Sequence, residues 1–217
     1  MSTKPLAEQV VPGAKGAESS TAEDGAVRPR DSVFHWSGTV DAIRRSSDPR
    51  EKGALLDAYF EAVAYETLAP AARYFAGQLL PLDDPRAIAV DRSLVAGAIE
   101  DLTRVAPDAF RTRSSGDADL GDVAAEAFAG RLPSGIAVVD VEAWAENLAN
   151  VSDNDARRVL VREMLARLSA IEARYIVQLI GGELRIGLTD EQIAEAVAKR
   201  MANSTGRRRA ASTGLAR

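Results

Sequence analysis

The chain has 217 residues, a formal net charge of −5, 46% hydrophobic and 5% aromatic content, no cysteine and a single histidine. That length suits one sizeable core with tails; the lack of cysteine excludes disulfides and thiolate metal sites, and the single histidine, His35, argues against histidine-based metal or triad chemistry. No apolar run approaches the ~18 residues of a membrane span, and no signal-peptide core stands near the start, so a soluble, cytoplasmic protein is expected.

Residues 1–31 carry Gly, Ser, Ala, Pro and charge without a sustained apolar period, and they read as a disordered tail. The folded part is expected over residues 32–202, with residues 203–217 as a basic disordered tail or linker. The fold class is all-α, an irregular bundle of about nine or ten helices. It opens at Val33-Phe34-His35-Trp36, where Phe34 and Trp36 suit a core or lid and His35 reads as a polar surface residue. A short helix follows over about Ser37–Arg45.

Asp48 then reads as an N-cap, with Pro49 at the first helical position and Glu51 three residues after the cap. Leu55, Leu56, Tyr59, Phe60 and Val63 form the apolar stripe of that helix. A third helix is predicted over about Glu66–Leu80, with Leu68, Ala72, Phe75 and Leu79 on one face and Pro70 in its first turn. Asp91 caps a helix over Arg92–Val105. Pro107–Asp117 is a polar loop containing Arg111 and Arg113, and Asp119–Phe128 is an N-capped helix. Short apolar pieces at Ala87–Val90 and Ile136–Val139 suit extended chain. Asp140 begins a helix holding Val141, Trp144 and Leu148. Ser152–Asp155 is a turn and cap before an amphipathic helix over Ala156–Leu168, with Leu160, Met164 and Leu168 inward.

The most informative stretch is Ser169–Lys199, which reads as helix, glycine turn, helix. Ser169 and Glu172 have capping-box spacing, and Thr189 and Gln192 repeat it. Gly181-Gly182 should end the first helix. Between the helices, Leu184 and Ile186 bracket Arg185, so the apolar pair can anchor the turn while the arginine points out. Gly187 allows close backbone approach, and the N–H groups at the next helix start offer a phosphate site. Asp190 and Glu191 also fit a plain helix start and would repel a phosphate placed too near. Beyond Glu195 there is no acid, while Lys199, Arg200, Arg207, Arg208, Arg209 and Arg217 follow. The chain therefore ends in a locally basic segment despite its acidic total.

Glu172-Ala173-Arg174-Tyr175-Ile176-Val177, followed by Gly182-Glu183-Leu184-Arg185-Ile186-Gly187-Leu188, resembles the end of the N-terminal DNA-binding domain of ATP-dependent DNA ligases. Ala118-Asp119-Leu120-Gly121-Asp122-Val123-Ala124 resembles a mid-domain segment of the same family, with Ala118 in place of its first glycine. The resemblance extends over about residues 33–202. It implies non-sequence-specific binding of duplex or nicked DNA through the phosphate backbone and minor groove, in DNA repair or recombination. Gly182, Arg185, Gly187 and Thr189 are the DNA-binding residues it implies, with Arg174, Arg111 and Arg113 as further candidates.

Family ligases attack ATP with a lysine in a Lys-x-Asp-Gly motif. None of Lys4, Lys15, Lys52 and Lys199 is followed by x-Asp-Gly. The expectation is a free-standing binding domain without the nucleotidyltransferase domain. It has no catalytic residue, metal site or cofactor of its own; ATP and Mg would belong to a separate ligase catalytic subunit. Duplex DNA and that subunit are the expected partners, with no membrane, in a cytoplasmic, nucleoid-associated protein. Glu183 stands where the family often has Arg or Lys. The alternative is a helical protein-interaction module that has lost DNA binding.

Overall fold

The structure is a computed structural model that describes residues 29–86, 88, 90–103, 110, 112, 114, 118–182 and 184–214, with side chains through residue 205. Of the tail expected over residues 1–31, residues 1–28 lie outside the described residues, as do most of the 107–117 loop, Ala87 and Glu183, while residues 29–31 are ordered as a turn.

Nine α-helices occur among the described residues. They are α1 (Val33–Arg45), α2 (Pro49–Ala62), α3 (Tyr65–Phe75), α4 (Arg92–Leu102), α5 (Leu120–Ala127), α6 (Val138–Asn150), α7 (Asn154–Arg167), α8 (Ala170–Ile180) and α9 (Asp190–Gly214). A 3-10 turn, Pro29–Asp31, leads into α1. No sheet forms among the described residues; the only extended pairing is an isolated bridge between Ser32 and Ala137. The all-α class follows, and no described helix is long and apolar enough to cross a membrane.

Side-chain caps set most helix starts. Asp48, Asp91, Asp119 and Asp153 accept N–H bonds from Arg50, Leu94, Gly121 and Ala156 at 2.7–2.9 Å. Each satisfies a donor that the first turn leaves free. α1 begins four residues earlier than its apolar spacing suggested, because Ser32 accepts the His35 N–H at 3.2 Å. Val33, Trp36, Val40 and Ile43 then share one buried stripe, while Phe34 stays 43% exposed. Ala64 cannot cap α3 with its side chain. Buried Asp31 does so from the preceding turn, accepting from Ala64 N at 2.8 Å and Thr67 Oγ1 at 3.0 Å.

Among the differences from expectation are two helix boundaries and one inward face. α3 stops at Phe75 rather than near Leu80, since the chain turns at Gly77, whose φ is +75°. Pro70 therefore sits one turn inside α3, where its missing N–H leaves the Glu66 carbonyl without that bond. Val138 and Val139 belong to α6 rather than to an extended piece; Asp140 occupies the third helical position and accepts the Ala137 N–H at 3.0 Å. In α7 the buried face is Val161, Met164 and Leu165, continued by Leu168, and Leu160 is only half-buried. Leu160 lies toward α6, where its carbonyl accepts from Trp144 Nε1 at 3.1 Å.

The helices build around α8. Its residues 172, 173 and 175–180 are all buried, as expected of a helix enclosed on every side. α5 and α1 pack directly on it, α4 packs on α7, α3 on α6, and α2 lies between α1 and α9. α9 runs past residue 202, where the sequence alone reads a tail. Polar ties hold it to α2: Arg200 Nε donates to the Phe60 carbonyl at 2.8 Å, Asn203 Nδ2 donates to Glu61 at 2.6 Å, and Lys199 pairs with Asp57. The Arg200 bond meets a backbone acceptor that the end of α2 leaves open.

The start of α8 carries the most enclosed polar group. Glu172 is fully buried, and its carboxylate accepts from Ser169 N (2.8 Å) and Ser169 Oγ (2.5 Å). It also accepts from Ser134 N (3.1 Å) and Ser134 Oγ (2.6 Å), tying the loop before α6 to the helix start. Glu172→Ala should cost about 3 kcal/mol of stability, because it strands these donors in the interior. Chemical denaturation with an unchanged midpoint would refute that role.

His35 is half-buried, its ring stacked on Tyr59 with centroids 5.2 Å apart. Burial, then the neighbouring Arg30 charge, hold its pKa below the ordinary 6.5, with Asp31 opposing. The unfolded chain thus binds the proton more readily, so stability attributable to His35 is lost as pH falls below 6.5. His35→Gln should flatten the melting temperature between neutral pH and the folded-state pKa; an unchanged pH profile would count against it.

Candidate nucleic-acid interface

The turn between α8 and α9 alternates inward and outward residues. Leu184 and Ile186 are 8% and 4% exposed, while Arg185 between them is exposed and makes no ion pair among the described residues. The end of α8 is closed by bonds from Gly181 N to Val177 O (3.1 Å) and from Gly182 N to Leu179 O (3.2 Å). Gly182 follows in the left-handed region at φ +65°. On one side the turn rests against the end of α3, where the Leu184 carbonyl lies 3.4 Å from the position a Cβ would take at Gly77. On the other it meets the first turn of α2, where Lys52 Nζ donates to the Ile186 carbonyl at 2.7 Å.

Gly187 is where the backbone geometry is most demanding. Its φ is +68°, and a Cβ there would lie 2.6 Å from Lys52 Nζ. The positive φ selects glycine, while the flexible end of Lys52 could move aside from a side chain there. Thr189 then opens α9 through a reciprocal cap: Thr189 N donates to Gln192 Oε1 at 2.9 Å, and Gln192 N donates to Thr189 Oγ1 at 3.3 Å. The N–H groups of Gly187 and Leu188 find no acceptor among the described residues. Against an anion stand Asp190 and Glu191, both exposed in the first turn of α9. Glu191 is held below its ordinary pKa, chiefly by its own backbone N–H and then by Thr189, so it stays charged.

The two segments that carry the ligase resemblance lie about fifty residues apart in the chain and pack on one another. Gly121 of α5 sits so close to α8 that a Cβ would come within 2.5 Å of the Arg174 carbonyl and 2.8 Å of Gln178 Cγ. Asp119 caps α5 with one oxygen and accepts from Gln178 Nε2 at 2.6 Å with the other. Arg174 pairs with Asp122 at 2.9 Å and lies 4.0 Å from Asp41. Asp41 in turn accepts the Tyr175 hydroxyl at 2.6 Å. Burial and that bond push the Tyr175 phenol up to about 12, so it remains a neutral donor.

The structure therefore separates the expected site residues. Gly182, Arg185, Gly187 and Thr189 share the turn. Arg174 lies eight residues back along α8, about 12 Å by helical rise, with two carboxylates beside it. Arg111 and Arg113 lie outside the described residues. Lys52 was not anticipated. Its signal was the run Arg44-Arg45-Ser46-Ser47-Asp48-Pro49-Arg50-Glu51-Lys52, with four cations at a corner between two helices. Arg44 at that corner bonds Tyr175, and Arg45 pairs with Asp41 at 2.6 Å. No described cluster of His, Asp and Glu side chains suits a metal ion.

Comparison with known proteins bears on the family of the chain. The profile of the DNA ligase N terminus matches residues 34–198. The chain belongs to that family. Among similar proteins is a probable DNA ligase of Koribacter versatilis, 29% identical over 163 residues, covering 74% of this chain and 28% of that protein. A probable DNA ligase of Opitutus terrae is 26% identical over 203 residues, covering 77% and 20% of the two chains. DNA ligase 1 of Methanosarcina barkeri is 30% identical over 125 residues, covering 56% and 23%. The chain thus spans between a fifth and three-tenths of the length of these relatives.

Within this ligase N-terminal domain the backbone of the turn is predicted to need its glycine. Gly187→Ala forces a left-handed alanine and displaces Lys52, and should cost about 1–2 kcal/mol. A thermal melt indistinguishable from the parent would show that the turn has no such requirement.

Proposed function

We propose that the domain grips duplex DNA, nicked duplex in particular, by its phosphate backbone, as the binding part of an ATP-dependent DNA ligase system in repair or recombination. The observation that carries this reading is the turn itself: buried Leu184 and Ile186 hold an exposed Arg185 beside backbone N–H groups, and among the described residues neither the arginine nor those groups has a partner. A phosphate oxygen accepts from such groups without regard to base identity, so the contacts position the duplex and do not read sequence. The minor-groove side of the duplex would face the turn at Gly182, Arg185, Gly187 and Thr189, which are all exposed. Membership of the family supports the same assignment.

The chemistry of sealing lies elsewhere. No lysine of these 217 residues stands in a Lys-x-Asp-Gly motif, so adenylation would need a catalytic domain beyond them that holds ATP and Mg. Binding near the chromosome, in the cytoplasm, follows from the substrate. The acids Glu183, Asp190 and Glu191 around the turn favour a second reading, a helical module that binds protein and has lost DNA.

Fluorescence anisotropy with nicked and intact duplexes separates the two. The DNA reading predicts binding at low salt that weakens steeply as salt rises. Arg185→Glu should weaken it about tenfold or more, with an equal loss on unrelated sequences. Binding that ignores this substitution at low salt would sink the proposed contact, and no binding by the parent chain would favour the protein-interaction reading.

A further inference from the structure

We propose that Lys52 is the second cation of the phosphate seat, reaching it from α2 rather than from the α8–α9 turn. The inference rests on the DNA-binding reading above and adds a residue and a role to it.

Lys52 lies in the first turn of α2 and is half-buried, so its stem is held against the protein while its ammonium sits at the surface. Nζ donates to the Ile186 carbonyl at 2.7 Å and fills the space a Cβ would take on Gly187. An ammonium carries three donors, and this bond uses one of them. Among the described residues no carboxylate pairs with Lys52. Of the neighbouring cations, Arg45 pairs with Asp41, Arg174 with Asp122 and Lys199 with Asp57; Arg50 is exposed and makes no bond to the turn among the described residues. Lys52 alone of these bonds the turn, and two of its donors are left beside the backbone that Gly187 presents.

The geometry gives the lysine two linked tasks. Its bond to the Ile186 carbonyl holds the Ile186–Gly187 peptide, whose N–H is trans to that carbonyl, points the opposite way and finds no acceptor among the described residues. Its charge stands across that peptide from the N–H and adds to the charge of Arg185, which the same turn exposes. It also offsets the carboxylates of Asp190 and Glu191 at the start of α9, which oppose an anion there. Residue 183 carries an acid, so the turn itself holds one cation, and α2 supplies the other.

The test uses the whole chain and a nicked duplex oligonucleotide over a range of salt concentrations. Lys52→Gln should weaken binding about tenfold at low salt and lower the slope of log affinity against log salt by about one. Lys52→Arg, which restores the charge, should restore the slope. A Lys52→Gln chain that melts like the parent but keeps the parent slope would overturn the phosphate contact while leaving the Arg185 reading intact. If the parent chain binds no duplex, both readings fall together.

A second measurement needs no variant. Acetylation of the parent chain, read by mass spectrometry, reports the reactivity of its four lysines, with Lys4, Lys15 and Lys199 as references. Bound duplex should protect Lys52 selectively; equal reactivity with and without duplex would refute the proposal.

Discussion

The burial of α8 is the constraint on which the rest depends. A helix enclosed on nearly every side is placed by its caps together with the few polar contacts its flanks make, at Arg174, Tyr175 and Gln178. Glu172 places one end. Its carboxylate is out of water, which is tolerable only because four donors from two serines surround it. Two of these donors belong to the loop before α6, so the same group joins the start of α8 to a segment some forty residues earlier. Gly121 then decides how near α5 may come, because the α8 backbone occupies the space a side chain would need. The ligase-like segments thus meet at a contact made of backbone and caps, where volume is least negotiable.

With α8 fixed, the turn at its far end is presented from a rigid base. Leu184 and Ile186 are drawn into the core, and alternation along an extended backbone sends Arg185 outward. The end of α3 and the start of α2 close on the turn from two sides, at Gly77 and Lys52. A loop held this way loses little freedom when it meets a ligand, which is how preorganisation strengthens binding. Lateral packing of α9 on α2 extends the same support: Arg200 reaches the carbonyl end of one helix from the body of another.

Much of this was readable from the chain because caps and glycines act locally. Asp48, Asp91 and Asp119, and the Ser169 and Thr189 boxes, mark helix starts through bonds that span three residues at most. The inward Leu184 and Ile186 and outward Arg185 follow from simple alternation. Long-range decisions were not readable. Nothing near Ala64 announces that Asp31 will cap α3, and nothing near Gly187 announces Lys52 from α2, 135 residues earlier. The inward face of α7 also escaped, because Leu160 and Val161 are both apolar and only the position of α6 chooses between them. Helix α9 outran its apolar period for the same reason: its ties to α2 are polar and tertiary.

The acidic total raises a question that the pairings answer. A net charge of −5 opposes a polyanion, yet several carboxylates are engaged locally. Asp41, Asp57, Asp101 and Asp122 each meet a basic side chain, and Asp48, Asp119 and Asp153 cap helices. Exposed pairs of this kind add little stability, but each nearly cancels its own field at a distance. At physiological salt, charges further than about 8 Å from a bound phosphate are largely screened. What a phosphate at the turn would meet is therefore set by the nearest charged groups, the cations Arg185 and Lys52 against the carboxylates Asp190 and Glu191. The sum over the chain is a poor guide to such a site. Two cations without ion pairs, held on a fixed backbone with open N–H groups, can favour an anion inside a protein whose overall charge repels it.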